Sequence, residues 1–141
     1  MKTLQVELEG LTLTGELLDA KAPKTCQAVW DALPLQGQAT NTVWSGNMLG
    51  LWVSIPEPPQ DENVSVLQFL GDILLLRGGK GLGFVYGPAQ TRDLHGPHPA
   101  PRVGRLLGDL DAFVKIAKRV EWDGAKTMRV TRGKTQTHPS A

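Results

Sequence analysis

Residues 3–17 read TLQVELEGLTLTGEL, and apolar and polar side chains alternate in them on both sides of Gly10. Leu4, Val6 and Leu8 share one face of an extended segment, because successive side chains of a strand point to opposite faces. The glycine interrupts the alternation where a turn has to reverse the chain. The stretch therefore predicts a hairpin of two half-buried strands, with one face turned to a hydrophobic core.

Two apolar stripes with helical spacing lie far apart in the sequence. The first predicts a helix over residues 23–33, which Pro34 ends. The second predicts a helix that begins after a capping Asp109 and ends near Arg119. Most other segments predict short strands, without the regular β-α-β alternation of a parallel sheet. Residues 87–101, with four prolines and two histidines, predict a long ordered loop. We therefore expect a mainly β fold, a closed barrel of about eight mostly antiparallel strands with two helices.

The composition fits one globular domain. The 141 residues include 16 Gly and 10 Pro, a content typical of many turns and short strands. We assign residues 1–132 to a single barrel domain and residues 133–141 to a polar C-terminal tail. The one cysteine, Cys26, can form no intramolecular disulfide, and its place on the first helical stripe predicts a buried, unreactive thiol.

Charge and hydropathy exclude several classes of function. The formal net charge is +1, whereas a nucleic-acid binder is expected to carry a strong basic excess. No apolar run approaches the ~18 residues of a membrane span, and the alternating N-terminus does not resemble a signal peptide. We therefore expect a cytoplasmic protein that binds neither nucleic acid nor membranes.

The charges are unevenly distributed along the chain. Residues 102–141 carry nine Lys and Arg against four Asp and Glu, while residues 1–101 carry six against ten. Complementary surfaces of this kind favour a homo-oligomer, because opposite potentials attract. Solvated helix and strand faces explain the same pattern, so both interpretations stay open.

Two segments resemble cyclophilins. Residues 18–25, LDAKAPKT, are similar to the segment that leads into the first cyclophilin helix, where a Pro-Lys-Thr triplet is typical. Residues 103–114, VGRLLGDLDAFV, are similar to the stretch in which a cyclophilin strand runs into the second helix. A closer resemblance, around residues 33–37, 44–46 and 71–76, is to a little-characterised bacterial family with a cyclophilin-like fold and no settled activity. Both resemblances imply a cyclophilin-like barrel.

The chain departs from cyclophilins where their activity resides. Peptidyl-prolyl isomerisation relies there on an arginine in the strand after the first helix, and the matching residues 39–48, ATNTVWSGNM, contain none. The arginine is needed because its guanidinium hydrogen-bonds the amide as the amide loses conjugation. In residues 81–86, GLGFVY, only the aromatic character of the family's pattern remains. The resemblance thus implies a groove that lacks the isomerase arginine.

The candidate ligand-binding residues lie along this groove. They are Asn41, Trp44, Ser45, Phe84, Tyr86 and His98. Trp44 ends a predicted strand before a Ser-Gly turn, and there its indole and the Ser45 hydroxyl can line a pocket. A core tryptophan followed by an ordinary turn is the other interpretation of these residues. Phe84 and Tyr86 lie two apart and share one strand face, either as a pocket wall or as a pair in the barrel core. The resemblance implies His98, because the cyclophilin groove also has a histidine in the loop before the equivalent strand.

Three further patterns are weaker. Residues 77–81, RGGKG, offer backbone amides and two cations to an anion, but their spacing matches neither glycine-rich phosphate motif, and a flexible hairpin loop is the favoured interpretation. His95 and His98 lack a third metal ligand in the pattern, so we predict no metal and no cofactor. Ser45 lacks the Gly-x-Ser-x-Gly elbow of a hydrolase nucleophile.

Three functions follow from these patterns. The leading hypothesis is a cyclophilin-like protein that binds a small molecule in an aromatic-lined groove. The alternative is a peptidyl-prolyl isomerase or proline-peptide binder, which is the family-level activity if the protein is an enzyme. The third is an enzyme acting on a small metabolite, for which the sequence shows no catalytic constellation.

We expect no isomerase activity. In a chymotrypsin-coupled or NMR-exchange assay, a proline peptide should interconvert at its uncatalysed rate, because residues 39–48 supply no arginine to the amide. An active cyclophilin in the same assay is the positive control. Acceleration that is lost in the Trp44→Ala or Phe84→Ala variant would contradict the prediction.

Overall fold

The N-terminal hairpin is present in the computed structural model, which describes residues 2–133. Its strands β1 (Thr3–Leu8) and β2 (Leu11–Leu17) pair antiparallel, with Leu8 opposite Leu11. The connecting residues Glu9 and Gly10 have φ angles of +49° and +77°. Two positive φ angles define a type I′ turn, whose twist matches that of the flanking strands. The alternation in the sequence is therefore realised as predicted.

Within residues 2–133 the strands number twelve. Besides β1 and β2 they are β3 (Leu35–Asn41), β4 (Gly46–Trp52), β5 (Val64–Ser65), β6 (Leu67–Gln68), β7 (Asp72–Leu75), β8 (Gly81–Gln90), β9 (Arg92–Asp93), β10 (Gly96–Pro97), β11 (Ala100–Leu107) and β12 (Lys126–Arg132). Eight pair antiparallel in the order β2-β1-β12-β3-β4-β8-β7-β11, and β11 pairs again with β2. This last pairing closes the sheet into a barrel and confirms the predicted fold class.

The four short strands and two helices cover the barrel. Strand β5 extends the sheet beside β11, β6 pairs with β8, and β9 and β10 form a separate small hairpin. Helix α1 (Pro23–Ala32) packs on β11, and helix α2 (Leu110–Asp123) packs on β3, β4 and β8. Asp109 caps α2 by accepting a hydrogen bond from the Ala112 N–H at 3.0 Å, as the sequence predicts.

Four of the barrel strands are buried on both faces. Their inward side chains, such as Leu49, Ile73 and Phe84, join the main core together with the apolar stripes of both helices. Their outward side chains form a second buried cluster on β4, β7, β8 and β11. This outer cluster consists of Met48, Leu74, Leu76, Val85, Ala89 and Ala100. The barrel therefore has an apolar surface on its outside as well as a core inside.

Several boundaries differ from the sequence prediction. The region 87–101, predicted as one long loop, contains the end of β8, the β9–β10 hairpin and the start of β11. Gly87 to Gln90 continue β8 because the strand finds partners in both β4 and β6. Helix α2 runs to Asp123 rather than Arg119, and its last turn is held by an ion pair between these two side chains at 2.9 Å. The predicted tail covers residues 133–141, and the part of it after Gly133 lies outside the described residues.

Helix α1 receives its N-terminal cap from a distant loop. Ala22, the residue before the helix, makes no capping hydrogen bond with its side chain. Instead a carboxylate oxygen of Glu62 accepts hydrogen bonds from the backbone N–H of Thr25 at 2.7 Å and from its hydroxyl at 2.8 Å. These bonds, the backbone bond above all, lower the pKa of Glu62 below its usual value. The proline-rich loop before β5 is thereby tied to α1.

We expect Glu62→Gln to lower the melting temperature at neutral pH and to lose this effect in acid. The folded-state pKa is lowered, so the stabilisation is present above the unfolded pKa and is lost as the pH falls through the folded one. Thermal melts of both proteins should converge as the pH falls below the usual glutamate range, ~4.3. Glu57→Gln changes an exposed acid of the same loop and is the matched control. A deficit that persists unchanged in acid would show that the carboxylate charge plays no part.

Candidate functional site

A cavity of about 420 Å³ opens on the outer face of the barrel. We name it the outer cavity. Its floor contains Met48 and Leu76 of the outer cluster, and Trp44 and Trp52 line it with their indoles. The other lining residues are Thr42, Ser45, Arg77, Lys80, Thr91, Arg92, Asp93, Leu94 and His98. The outer cavity thus combines an apolar floor with a polar and charged rim, and small-molecule sites likewise combine apolar walls with convergent polar groups.

Close packing at the floor depends on a glycine. Gly83 lies on β8 opposite Leu74, so its missing side chain would point to the outer face. A Cβ atom at this position would lie 2.7 Å from the sulfur of Met48 and 3.2 Å from Leu76. The methionine can therefore lie directly against the strand, and its polarizable thioether forms part of the cavity floor.

A short 3-10 turn between β3 and β4 (Val43–Ser45) positions Trp44 and Ser45. The sequence placed Trp44 at the end of a strand, whereas the turn projects its indole outward with 54 % exposed. Ser45 is buried, and its hydroxyl accepts a hydrogen bond from the backbone N–H of Arg92 at 3.1 Å. This bond joins the turn to the β9–β10 hairpin, so both sides of the outer cavity are connected through Ser45.

A buried glutamine anchors the β9–β10 hairpin. The side-chain carbonyl of Gln68 accepts from the Thr91 N–H at 3.0 Å, and its amide donates to the Thr91 hydroxyl at 2.7 Å. The same amide donates to the carbonyl of Ser65 at 2.7 Å. Thr91 in turn accepts at its carbonyl from the His98 N–H at 2.9 Å. Gln68 therefore positions the segment that carries four lining residues of the outer cavity.

Asp93 is the acidic group of the outer cavity. One of its carboxylate oxygens accepts from the His95 N–H at 2.7 Å. The other lies 3.7 Å from the guanidinium of Arg77 and 3.9 Å from Nε2 of His98. The hydrogen bond from His95, followed by these charges, lowers the pKa of Asp93. The carboxylate is therefore ionised at neutral pH.

Three of the six candidate residues line the outer cavity and three do not. Trp44, Ser45 and His98 are brought together there. Phe84 and Tyr86 lie on the inward face of β8 and belong to the main core. Of the two interpretations of their spacing, a pocket wall or a pair in the barrel core, the structure shows the core pair. The assignment of a ligand to any of the six residues stays a prediction.

Asn41 and Tyr86 form a buried polar contact away from the outer cavity. The amide of Asn41 donates to the Tyr86 hydroxyl at 2.6 Å. Burial, with a smaller contribution from the charge of Glu121, raises the pKa of Tyr86. The side-chain oxygen of Asn41 is buried and has no partner among the described residues. The contact therefore supports the inside of the barrel rather than the lining of the outer cavity.

The other candidates of the sequence have structural surroundings. Cys26 is buried and donates to the Val103 carbonyl at 3.2 Å, and burial raises the pKa of its thiol to about 12. Such a thiol carries negligible thiolate at neutral pH. Within residues 2–133 no three His, Cys, Asp or Glu side chains are grouped as metal ligands. Neither helix of this part of the chain is long and apolar enough to cross a bilayer.

A protein-family profile described as "Protein of unknown function (DUF3830)" matches residues 4–132. The chain belongs to this family. The matched region runs from β1 to β12, so every residue that lines the outer cavity lies inside the DUF3830 region. A search of curated proteins finds no match to the sequence.

Two solved structures share the fold of this DUF3830 chain. McbB, described in complex with tryptophan, matches with a TM-score of 0.72 and 23 % identity over 95 % of this chain and 46 % of McbB. The hypothetical protein AF2241 from Archaeoglobus fulgidus matches with a TM-score of 0.57 and 20 % identity over 94 % of this chain and 95 % of its own. The chain thus spans about half the length of McbB. At these identities the likeness establishes the fold alone.

Sequence reasoning missed most of the polar lining. Arg77 and Lys80 belong to the glycine-rich segment 77–81, in which Arg77 begins a 3-10 turn (Arg77–Gly79) and Lys80 follows it beside the outer cavity. Arg92 and Asp93 lie in the segment predicted as a long ordered loop. A usable signal was Leu94, a large apolar side chain in a polar loop that proves fully exposed at the mouth of the outer cavity.

We expect Gln68→Leu to destabilise the protein by about 2 kcal/mol, because the buried Thr91 hydroxyl loses the Gln68 amide and the Thr91 N–H keeps only a longer bond to the Val66 carbonyl at 3.3 Å. The free energy of unfolding from urea titration measures the loss. Gln38→Leu is the matched control: Gln38 is exposed and makes one side-chain bond, to Thr127, so its loss should stay within ~0.5 kcal/mol. Equal losses in the two variants would contradict the anchoring role of Gln68.

Proposed function

We propose that the protein binds a small molecule in the outer cavity and that its barrel is cyclophilin-like but without isomerase activity. The observation that carries this proposal is the pair of partly exposed indoles, Trp44 and Trp52, beside the apolar floor of Met48 and Leu76. The order of strands and helices supports the cyclophilin-like assignment. The two segments that resemble cyclophilins, residues 18–25 and 103–114, lead into the two helices.

The dimensions and lining of the outer cavity suit a small organic ligand. Its volume of about 420 Å³ lies within the ~300–1,000 Å³ typical of ligand sites. Exposed aromatic side chains in a concave site are unfavourable unless a partner covers them, and Trp44 and Trp52 are 54 % and 39 % exposed. A planar apolar group lying against the indoles removes this surface from water, which provides the driving force for binding.

The surroundings of the outer cavity keep its geometry defined before a ligand arrives. Trp52 donates from its indole N–H to the Thr40 hydroxyl at 2.6 Å. The Thr42 hydroxyl donates to the Met48 carbonyl at 2.9 Å, which braces the turn that carries Trp44. Preformed sites of this kind lose less conformational entropy on binding. Among the solved relatives, McbB is described in complex with tryptophan, which supports testing aromatic compounds first.

We expect a thermal-shift screen of aromatic metabolites and proline peptides to identify a ligand that raises the melting temperature. A ligand at a hundred times its Kd stabilises the native state by about 2.7 kcal/mol. Trp44→Ala should weaken binding of that ligand at least tenfold while leaving the melting temperature of the free protein nearly unchanged, because the indole is exposed.

Trp122→Ala is the matched control, since Trp122 is exposed on α2 and does not line the outer cavity. It should bind the ligand as the unchanged protein does. A ligand whose affinity falls equally in both variants binds elsewhere and would contradict the proposal. Selective stabilisation by proline peptides would favour the proline-peptide alternative instead.

A further inference from the structure

The outer cavity concentrates positive charge in a protein that is nearly neutral overall. Arg77, Lys80 and Arg92 line it, and Asp93 is the one acid among the lining residues. The net charge of the whole chain is +1, so this excess does not reflect a generally basic surface. Clefts with one sign of charge beside apolar walls focus the potential and raise the local concentration of the opposite ion.

The charge of Asp93 is already committed to its neighbours. One carboxylate oxygen accepts a hydrogen bond from the His95 N–H, and the other lies near the guanidinium of Arg77 and Nε2 of His98. Among residues 2–133, neither Lys80 nor Arg92 forms an ion pair with an acid. The Arg92 guanidinium makes one long side-chain contact, to the side-chain amide oxygen (Oε1) of Gln90 at 3.4 Å. Two cations at the outer cavity are therefore available to a ligand.

We propose that the ligand of the outer cavity is a small aromatic carboxylate. This inference rests on the proposed function and assigns its chemical class. The ring lies against the indoles of Trp44 and Trp52, and the carboxylate accepts charge-assisted hydrogen bonds from Lys80 and Arg92. The ligand needs both the ring and the carboxylate, because the apolar floor binds apolar surface and the two free cations bind one negative group.

The fixed acid restricts the ligand further. Asp93 is ionised and lines the same cavity as Lys80 and Arg92, so a negative group of the ligand placed beside it would be repelled. The carboxylate of the ligand therefore has to lie at Lys80 and Arg92, away from Asp93. The Asp93 carboxylate also lies 3.7 Å from the Arg77 guanidinium, and this ion pair weakens the attraction of Arg77 for an anionic ligand. Removal of the Asp93 charge should consequently strengthen binding, an effect opposite to that of damage to the fold.

The test compares two matched ligands by titration calorimetry. Indole-3-acetate and indole-3-acetamide have the same ring and nearly the same shape, and they differ in charge. We expect the acetate to bind at least tenfold more tightly, because a hydrogen bond to a charged group contributes more than a neutral one. Cyclohexaneacetate keeps the charge without the aromatic ring and should bind more weakly than indole-3-acetate. Equal affinity of acetate and acetamide would overturn the proposal.

Variants of the cavity charges give the second arm. Lys80→Gln and Arg92→Gln should each weaken the acetate about tenfold and leave the acetamide nearly unchanged. Asp93→Asn should tighten the acetate several-fold, while its side-chain carbonyl can still accept from the His95 N–H. Lys118→Gln, on the exposed side of α2, is the control for net charge and should change neither affinity. Weaker acetate binding in Asp93→Asn would contradict the assigned role of this acid.

A third comparison distinguishes a small free carboxylic acid from the C-terminal carboxylate of a peptide. Tighter binding of a tripeptide ending in tryptophan than of N-acetyltryptophan would overturn the assignment to a small molecule. The outcomes also separate this inference from the proposed function. If only neutral aromatic compounds bind and Trp44→Ala abolishes their binding, the outer cavity is a small-molecule site and the carboxylate assignment is wrong. If no tested compound binds, both fail.

Discussion

The pairing of β11 on both of its edges is the constraint on which the barrel depends. One edge forms a ladder with β7 and the other with β2, so the first hairpin of the chain closes against a strand about a hundred residues later. Gly104 makes this possible. A Cβ atom there would lie 2.8 Å from the Glu16 carbonyl oxygen and 3.3 Å from Ile73. The register between β11 and β7 also shifts beside this glycine, which bends the strand where the sheet has to curve.

Closure of the barrel gives its inner and outer faces different structural roles. The inside of the barrel is filled by core side chains such as Phe84 and Ile73. The outer cavity instead uses the outward residues of strands whose inward residues build the core. Substitutions of the exposed lining, at Trp44 or Arg92, therefore touch little of the core. A ligand site at the outer cavity, as proposed, would therefore lie apart from the main core that stabilises the barrel.

The hairpin, both helices and the closed barrel could be predicted, because period-two and helical spacing are local signals that the tertiary structure preserved. The two faces of β8 could not be told apart. Residues 81–86 are buried throughout, so alternation predicts that Phe84 and Tyr86 share a face but not which face is inside. That choice is made by the register with β4 and β7. The cations of the outer cavity could not be predicted as a group either, because Arg77 and Arg92 lie in separate segments that only the folded chain brings to one cavity.

The pairing of β1 with β12 has a topological consequence. The N–H of Gly133 donates to the carbonyl of Thr3 at 2.8 Å, so the chain enters and leaves the barrel at neighbouring points. The side chains of Lys2 and Arg132 both lie over the ring of Trp30 and mark this junction. A fold whose entry and exit are adjacent can be inserted into a loop of a longer polypeptide without distorting either partner. The adjacent entry and exit points make the barrel geometrically compatible with such an insertion.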